Sequence, residues 1–280
     1  MTGHAERTAK AAPRPGKGRR GGTSGWIPDQ HGAWVMVIVP LVVGVLLARP
    51  APVHVPLAVA WFVGYFAFFA GGLWLKARGP RKRRYVAPLV TYGVICAVAA
   101  LVVVMMRPTI LVFGAVFGPL VAVAVWEAWR RRPRSLLSGE STVLASCAMI
   151  PVTAWAAGDP MTVRLWVATA VIALYFCGTI PYVKTLIRKR GDRGWFTGSV
   201  VYHSVAAAAV TGLAVVGLVT WLAVPVFLVV ALRAWWMPRR AEHRGTPWRP
   251  RTVGFGEMAV TALVLVAALV PPGAFQPVTV

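Results

Sequence analysis

The chain has 280 residues, of which 58% are hydrophobic and 14% charged, and its 30 Lys and Arg against 8 Asp and Glu give a formal net charge of +22. This composition is far from that of soluble globular proteins and predicts an integral membrane protein. The basic residues lie between apolar runs, so the positive charge needs no nucleic-acid partner, and none is predicted.

The first 25 residues mix Lys, Arg, Pro, Gly and Ala with almost no large apolar side chain. We predict a disordered basic cytoplasmic tail for residues 1–25, because such a composition cannot bury enough surface to fold. Residues 26–280 are predicted to form a single transmembrane helical domain. The first apolar run lacks a small-residue cleavage site and precedes many further runs, so it is interpreted as a retained helix and not a signal peptide.

Nine apolar runs follow in the chain, most of them close to the length of about 20 residues that crosses the hydrocarbon core of a bilayer. They are residues 32–48, 55–75, 86–106, 109–126, 141–157, 162–183, 198–217, 219–236 and 253–270. The stretch 199–236 could be one long helix or two short ones, and its length favours two, with a turn near residues 218–225. We therefore predict an all-α, multi-pass protein of the cell membrane with about nine transmembrane helices.

The distribution of Lys and Arg predicts the orientation, because cytoplasmic loops of membrane proteins are enriched in these residues. With the amino terminus inside, all 30 basic residues except Arg49, Arg107 and Arg164 fall in segments predicted to be cytoplasmic. The amino terminus is therefore predicted to be cytoplasmic and the carboxyl terminus external. The basic loops are expected to contact the bilayer through anionic lipids at the cytoplasmic face.

Polar and ionisable side chains in or beside apolar spans are costly in hydrocarbon and are therefore candidates for function. Most of them lie at the predicted cytoplasmic ends of the helices, where cationic donors would suit a phosphate or a carboxylate. We predict a polar pocket there, with candidate members Gln30, His31, Lys76, Glu140, Tyr182, Lys184, Arg188, His203 and Glu257.

Several of these candidates also have a purely structural interpretation. Glu257 could pair with Arg233 or Arg251, and His203 could be a packing histidine whose hydrogen bonds are satisfied. Glu140, near a helix amino terminus, could complement the helix dipole. These alternatives stay open, as does the reading of the grouped cations as no more than the signal for cytoplasmic loops.

No motif in the chain identifies a reaction. There is no GxxxxGK[ST], HExxH or GxSxG pattern and no pair of carboxylates spaced for acid–base chemistry or for Mg²⁺. The three cysteines, Cys96, Cys147 and Cys177, lie far apart in apolar runs and are predicted to be small core residues. No metal site is predicted, and the catalytic residues, the cofactor and the question of enzymatic activity stay open.

The segment from Ile27 to Met36, which reads IPDQHGAWVM, resembles the start of the YwiC-like family of bacterial membrane proteins. The YVKT sequence at 182–185, the YHS sequence at 202–204 and Glu257 fit the same family. The resemblance covers about residues 26–270. It implies a bacterial integral membrane protein and no settled activity.

The helix number and orientation also resemble, more weakly, the UbiA-type prenyltransferase superfamily, intramembrane enzymes with nine helices and a cytoplasm-facing pocket. That superfamily holds Mg²⁺ and a polyprenyl diphosphate through aspartate-rich motifs after its second and sixth helices. The corresponding residues here, 73–80 and 175–184, contain no aspartate. Prenyl transfer by the usual metal mechanism is therefore not expected. A cationic pocket with Lys76, Lys184 and Arg188 would keep a UbiA-like bundle and a lipid ligand while changing the chemistry.

Three functions follow as hypotheses. The first is a YwiC-like protein that binds or modifies an amphipathic anion, an isoprenoid phosphate or a quinone precursor, in a cytoplasm-facing pocket. The second is a small-molecule transporter, which would be expected to show internal repeats and polar residues on both sides of the bilayer; the sequence shows no internal repeat. The third is a non-catalytic membrane assembly protein, for which the many small residues would provide helix packing.

Overall fold

A computed structural model describes residues 24–28 and 31–274 of the chain, with only the backbone of His31. Within these residues it contains α-helices and no strand. The helices are α1 (His31–Leu47), α2 (His54–Lys76), α3 (Arg83–Met106), α4 (Gly114–Trp129), α5 (Leu136–Cys147), α6 (Met149–Ala157), α7 (Val163–Ile187), α8 (Arg193–Val215), α9 (Ala223–His243) and α10 (Pro250–Leu269). Most of the predicted tail, residues 1–23, lies outside the described part.

Helices α5 and α6 are two halves of one segment, so the described residues form nine helical segments, and the predicted all-α class is confirmed. Seven segments are long and apolar enough to cross a membrane. They are α2, α7, α8 and α10, the combined α5–α6 segment, and α3 and α4, each together with the 3₁₀ turn that precedes it. Of the other two, α1 is shorter, with 17 residues. Helix α9 has 21 residues but carries several charged side chains toward its end.

The stretch 199–236, for which the sequence allowed one helix or two, forms the two helices α8 and α9. The chain turns at residues 216–222, where Gly217 adopts a left-handed backbone conformation with φ of 71°. Glycine adopts this conformation without the steric cost that a β-carbon brings, and it commonly ends helices. The prediction of two short helices is therefore confirmed.

Hydrogen bonds show which connections share a face of the bundle. Arg49, after α1, donates from its backbone N–H and from Nε to the two carboxylate oxygens of Asp159, after α6, at 2.6 and 2.7 Å. Arg107, after α3, donates to a carbonyl at the end of α6, and Arg164, at the start of α7, donates to a carbonyl at the end of α10. The three arginines outside the predicted cytoplasmic segments thus each bind a structural partner.

These contacts define an opposite face, which holds the connections after α1, α3 and α6 and the end of α10. The α8–α9 turn lies there too, since the Thr220 hydroxyl donates to the Ala274 carbonyl just after α10 at 2.9 Å. Because the segments alternate in direction, the other connections lie at the far end of the bundle, here called the basic face, and comprise residues 77–82, 130–135, 188–192 and 244–249. The basic face carries most of the Lys and Arg of the described residues. Its location in the cytoplasm stays a prediction from the charge distribution.

The segment formed by α5 and α6 lies at the centre of the bundle and packs against α1, α4 and α7. In its 18-residue apolar stretch, 61% of the residues are buried, against 11% or less in the corresponding stretches of α2, α3 and α4. These three helices pack beside one another at the periphery. Fully buried Val43, Ile150, Val210, Phe227 and Val264 join α1, α6, α8, α9 and α10 in one core. The peripheral helices expose apolar side chains, as expected where lipid is the solvent.

Candidate functional site

Helix α7 carries polar side chains on two of its faces. Tyr175 and Tyr182 are seven residues apart and therefore share one face, which meets α9 and α10. Cys177 and Lys184 are also seven residues apart and share a second face, which meets α5 and α8. This spacing allows α7 to contribute side chains to two neighbouring polar groups near the basic face.

The first face of α7 meets a buried ion pair. Arg233 on α9, only 8% exposed, donates from Nη1 to the carboxylate of Glu257 on α10. The Tyr175 hydroxyl lies 2.8 Å from the Thr261 hydroxyl and donates to Glu257 Oε2 at 3.4 Å. The Arg233 guanidinium lies over the Tyr182 ring, 4.6 Å from its centroid. Charged and hydroxyl groups from three helices are thus gathered in an otherwise apolar interior.

His203 on α8 borders the same group of residues. Its ring is 6.2 Å from the Tyr182 ring, and its Nδ1 lies 2.7 Å from the Ser199 carbonyl oxygen. A carbonyl can only accept, so Nδ1 carries a proton, and Nε2 of the neutral ring is an acceptor. We call this set the Arg233 cluster; its members are Tyr175, Tyr182, Ser199, His203, Arg233 and Glu257.

Several polar atoms of the Arg233 cluster are buried without a partner. They are Nε and Nη2 of Arg233, Nε2 of His203 and Oγ of Ser199, none of which has a hydrogen-bond partner in the described part of the chain. Buried polar groups in folded proteins nearly always have such partners. This set therefore marks a place where oxygen or nitrogen atoms of a ligand, or of ordered water, can bind.

The Arg233 cluster lies within the half of the bundle nearer the basic face. At a rise of about 1.5 Å per residue, Glu257 lies roughly 10 Å from the start of α10, and His203 roughly 15 Å from the start of α8. Both helices begin at the basic face. In a helix that spans a bilayer, groups at this depth lie within the hydrocarbon region, where unpaired polar atoms are costly and usually functional.

The second face of α7 forms a smaller polar group. Glu140 on α5 lies beside the Cys177 thiol and within electrostatic range of the Lys184 ammonium. The Lys184 ammonium lies over the Trp195 ring, 5.0 Å from its centroid. The Lys184 end of this group lies closer to the basic face than the Arg233 cluster does. Gly178 on α7 permits the close approach of α8, because a β-carbon there would lie 2.8 Å from His203 Nε2.

The predicted pocket residues are distributed unevenly in the structure. Tyr182, His203 and Glu257 come together in the Arg233 cluster, and Glu140 lies within electrostatic range of Lys184 on the neighbouring face of α7. These five come from α5, α7, α8 and α10, and the sequence placed all of them at one end of the bundle.

The other four predicted residues lie elsewhere or outside the described part. Lys76 ends α2, a peripheral helix that packs mainly on α3. Arg188 is exposed after α7, and partial burial, followed by the like charge of Arg134, lowers its pKa. Gln30 lies outside the described residues, and so does the side chain of His31.

Residues that the sequence did not place in the pocket provide most of the unpartnered atoms. Arg233 was noted at the end of its apolar run and as a possible structural partner for Glu257 but was not placed in the pocket, and neither Ser199 nor Tyr175 was proposed. A lone arginine within the apolar run 219–236 is itself a signal, because arginine is rare within transmembrane helices. For Ser199 and Tyr175 the sequence gives no comparable signal, since hydroxyl residues are common in such helices. Among the described residues, no three His, Cys, Asp or Glu side chains come together as metal ligands.

Comparisons with known proteins show which family the chain is similar to. A protein-family model described as "YwiC-like protein" matches residues 27–154, which include the segment that suggested this family. The chain is 28% identical over 234 residues to "Uncharacterized protein YwiC" of Bacillus subtilis (strain 168), covering 83% of this chain and 92% of that protein. It is 29% identical over 183 residues to an "Uncharacterized protein" of Haemophilus influenzae (strain ATCC 51907 / DSM 11121 / KW20 / Rd), covering 65% of this chain and 75% of that protein.

The predicted resemblance to the YwiC-like family is confirmed by these matches. No solved structure matches the chain. The weaker resemblance to the UbiA-type superfamily therefore stays a prediction. The Arg233 cluster lies beyond residue 154, in the part of the chain outside the match to the family model.

Proposed function

We propose that this chain, which is similar to the YwiC-like family of membrane proteins, binds an amphipathic anion, an isoprenoid phosphate or a quinone precursor, at the Arg233 cluster. The observation that supports this proposal is the set of buried polar atoms without partners around Arg233. Leaving such a group unpaired costs about 1–3 kcal/mol. A ligand that supplies oxygen acceptors to Arg233 would recover this cost on binding.

The charges of the cluster favour particular ligand atoms. Glu257 already offsets the charge of Arg233, so the deep part of the site suits carbonyl, phenolic or carboxyl oxygens more than a multiply charged phosphate. Nearer the basic face, Lys184 and Arg188 are available for a phosphate, which binds both point charges and guanidinium groups. A quinone precursor would therefore place its head group at Arg233, and an isoprenoid phosphate would place its phosphate nearer Lys184.

The surroundings of the cluster suit an apolar tail. Phe255 and Met258, on either side of Glu257 in α10, are 57% and 55% exposed. In a bilayer such side chains contact lipid. An isoprenoid chain could therefore lie in the acyl region against α10 while its head group contacts the polar atoms. This arrangement needs no water-filled route across the membrane, so it favours binding over transport.

Native mass spectrometry of the full-length protein, extracted gently from its own membrane, tests the proposal. The informative change is Ser199→Ala, because the Ser199 hydroxyl is buried and has no partner to lose in the described structure. Ser204→Ala, the same change at an exposed position of α8, is the matched control. We expect an isoprenoid phosphate or a quinone precursor to copurify with the wild type and with the control, and to be depleted in Ser199→Ala.

The opposite result would be equally informative. If only bulk phospholipid copurified with all three proteins, the proposed ligand class would be wrong, and the transporter and assembly hypotheses would gain. If the specific lipid bound all three equally, the Arg233 cluster would not be its site.

A further inference from the structure

We infer that the basic face carries a second binding site, for the phosphate group of an anionic phospholipid, in a cleft between the start of α8 and the end of α9. The cleft has a volume of about 350 Å³, within the range typical of small-molecule sites. Lys189, Arg190, Arg193 and Arg239 line it. This inference does not depend on the Arg233 cluster, which is lined by other residues.

The cleft has a net positive charge, and most of its basic side chains form no ion pair within the described residues. Its two lining carboxylates are Asp192 and Glu242. Asp192 is already engaged, since it accepts the Trp195 backbone N–H at 3.2 Å and lies 3.8 Å from the Lys189 ammonium. In the described part of the chain Arg190, Arg193 and Arg239 form no ion pair with a carboxylate. Three guanidinium groups thus remain available for an anion.

One of these guanidinium groups is held in place by aromatic rings. Arg239 lies 4.7 Å from the centroid of Trp235 on its own helix and 5.6 Å from that of Phe196 on α8. Contact with a ring face restrains the guanidinium plane and leaves its N–H edge free. A restrained fork of donors loses less entropy on binding a phosphate than a freely moving side chain does.

The depth of the cleft indicates a lipid as the source of the phosphate. Tryptophans at the basic ends of several helices mark the membrane–water interface, as aromatic belts do in other membrane proteins. Trp74 and Trp129 lie at the ends of α2 and α4, Trp195 lies at the start of α8, and Trp248 lies just before α10. The cleft is at the level of Trp195 and therefore at the level of lipid head groups.

Lipid titration monitored by native mass spectrometry tests the inference on the full-length protein in detergent. The probes are phosphatidylglycerol, zwitterionic phosphatidylcholine and inorganic phosphate. The cleft variant is Arg193→Gln with Arg239→Gln, and the matched control is Arg78→Gln with Arg81→Gln, which removes equal charge from the α2–α3 connection on the same face. We expect the wild type and the control to prefer phosphatidylglycerol, and the cleft variant to bind it about tenfold more weakly, as expected for the loss of charge-assisted hydrogen bonds.

A second variant guards against a folding defect in the first. Thr197 lines the cleft at an exposed position, so Thr197→Glu adds a negative charge there with little effect on packing. It should weaken phosphatidylglycerol binding as the double variant does. Equal binding in all variants, or equal loss in the cleft variant and the control, would overturn the inference. Competition by millimolar inorganic phosphate would overturn the assignment to a lipid. Ser199→Ala should leave this binding unchanged, which separates this site from the Arg233 cluster.

Discussion

The buried pair of Arg233 and Glu257 should make a large contribution to stability that depends on both partners. Glu257→Leu leaves the Arg233 guanidinium, 8% exposed, without its counter-charge. Removing one partner of a buried ion pair typically costs about 3–5 kcal/mol. Arg233→Met should cost a similar amount, because it strands the Glu257 carboxylate.

The double variant Arg233→Met with Glu257→Leu should be far more stable than either single variant. Replacing a whole buried pair with apolar residues of similar volume is often neutral or stabilising, and here it also removes the two unpartnered nitrogens of Arg233. The expected coupling energy is therefore about 3 kcal/mol or more.

Reversible unfolding in mixed dodecylmaltoside and sodium dodecyl sulfate micelles, followed by tryptophan fluorescence, measures these free energies. The control is the same cycle on Lys189 and Asp192, whose side chains are 48% and 41% exposed and lie 3.8 Å apart. Exposed pairs contribute about 0–1 kcal/mol. A coupling energy for Arg233 and Glu257 no larger than that of this control pair would refute the reasoning.

Two further predictions concern the packing of the bundle and its opposite face. Gly178→Ala should destabilise the protein, because its new β-carbon would lie 2.8 Å from His203 Nε2, whereas Gly212→Ala, which meets open space, should not; thermal denaturation of both variants in detergent compares them. Arg49 lowers the pKa of Asp159, so this pair stabilises the fold above the unfolded-state pKa of about 4 and loses that effect as pH falls through the lower folded-state value. Asp159→Asn should therefore lower stability at pH 7 by no more than about 1 kcal/mol, since Arg49 is largely exposed, and the difference from wild type should shrink toward pH 3; a difference independent of pH would contradict this account.

The helices could be predicted from the sequence because hydropathy and length act locally. Each apolar run corresponds to one helical segment, and the turn between α8 and α9 falls at residues 216–222, which overlaps the expected turn near residues 218–225. The cation pattern predicted which connections share a face, and the contacts of Arg49 and Arg107 on the opposite face agree with it. These properties depend on composition along the chain and not on how the helices pack.

The membership of the polar site could be predicted only in part, because helix rotation and helix neighbours are set by packing. Glu257 was left with two possible partners, and the structure pairs it with Arg233. Lys76 and Lys184 both end apolar helices, yet α2 packs at the periphery and α7 in the core. Ser199 carries no charge to attract notice, and it matters only because packing buries its hydroxyl without a partner.

Electron cryo-microscopy of the full-length protein in nanodiscs of its native lipids tests the central claim most directly. We predict elongated density whose head group contacts Arg233 Nε and Nη2 and the Ser199 hydroxyl, with an apolar tail along α10. A cluster whose polar atoms bind only water or one another, with no lipid density near Arg233, would contradict the proposed anion-binding function.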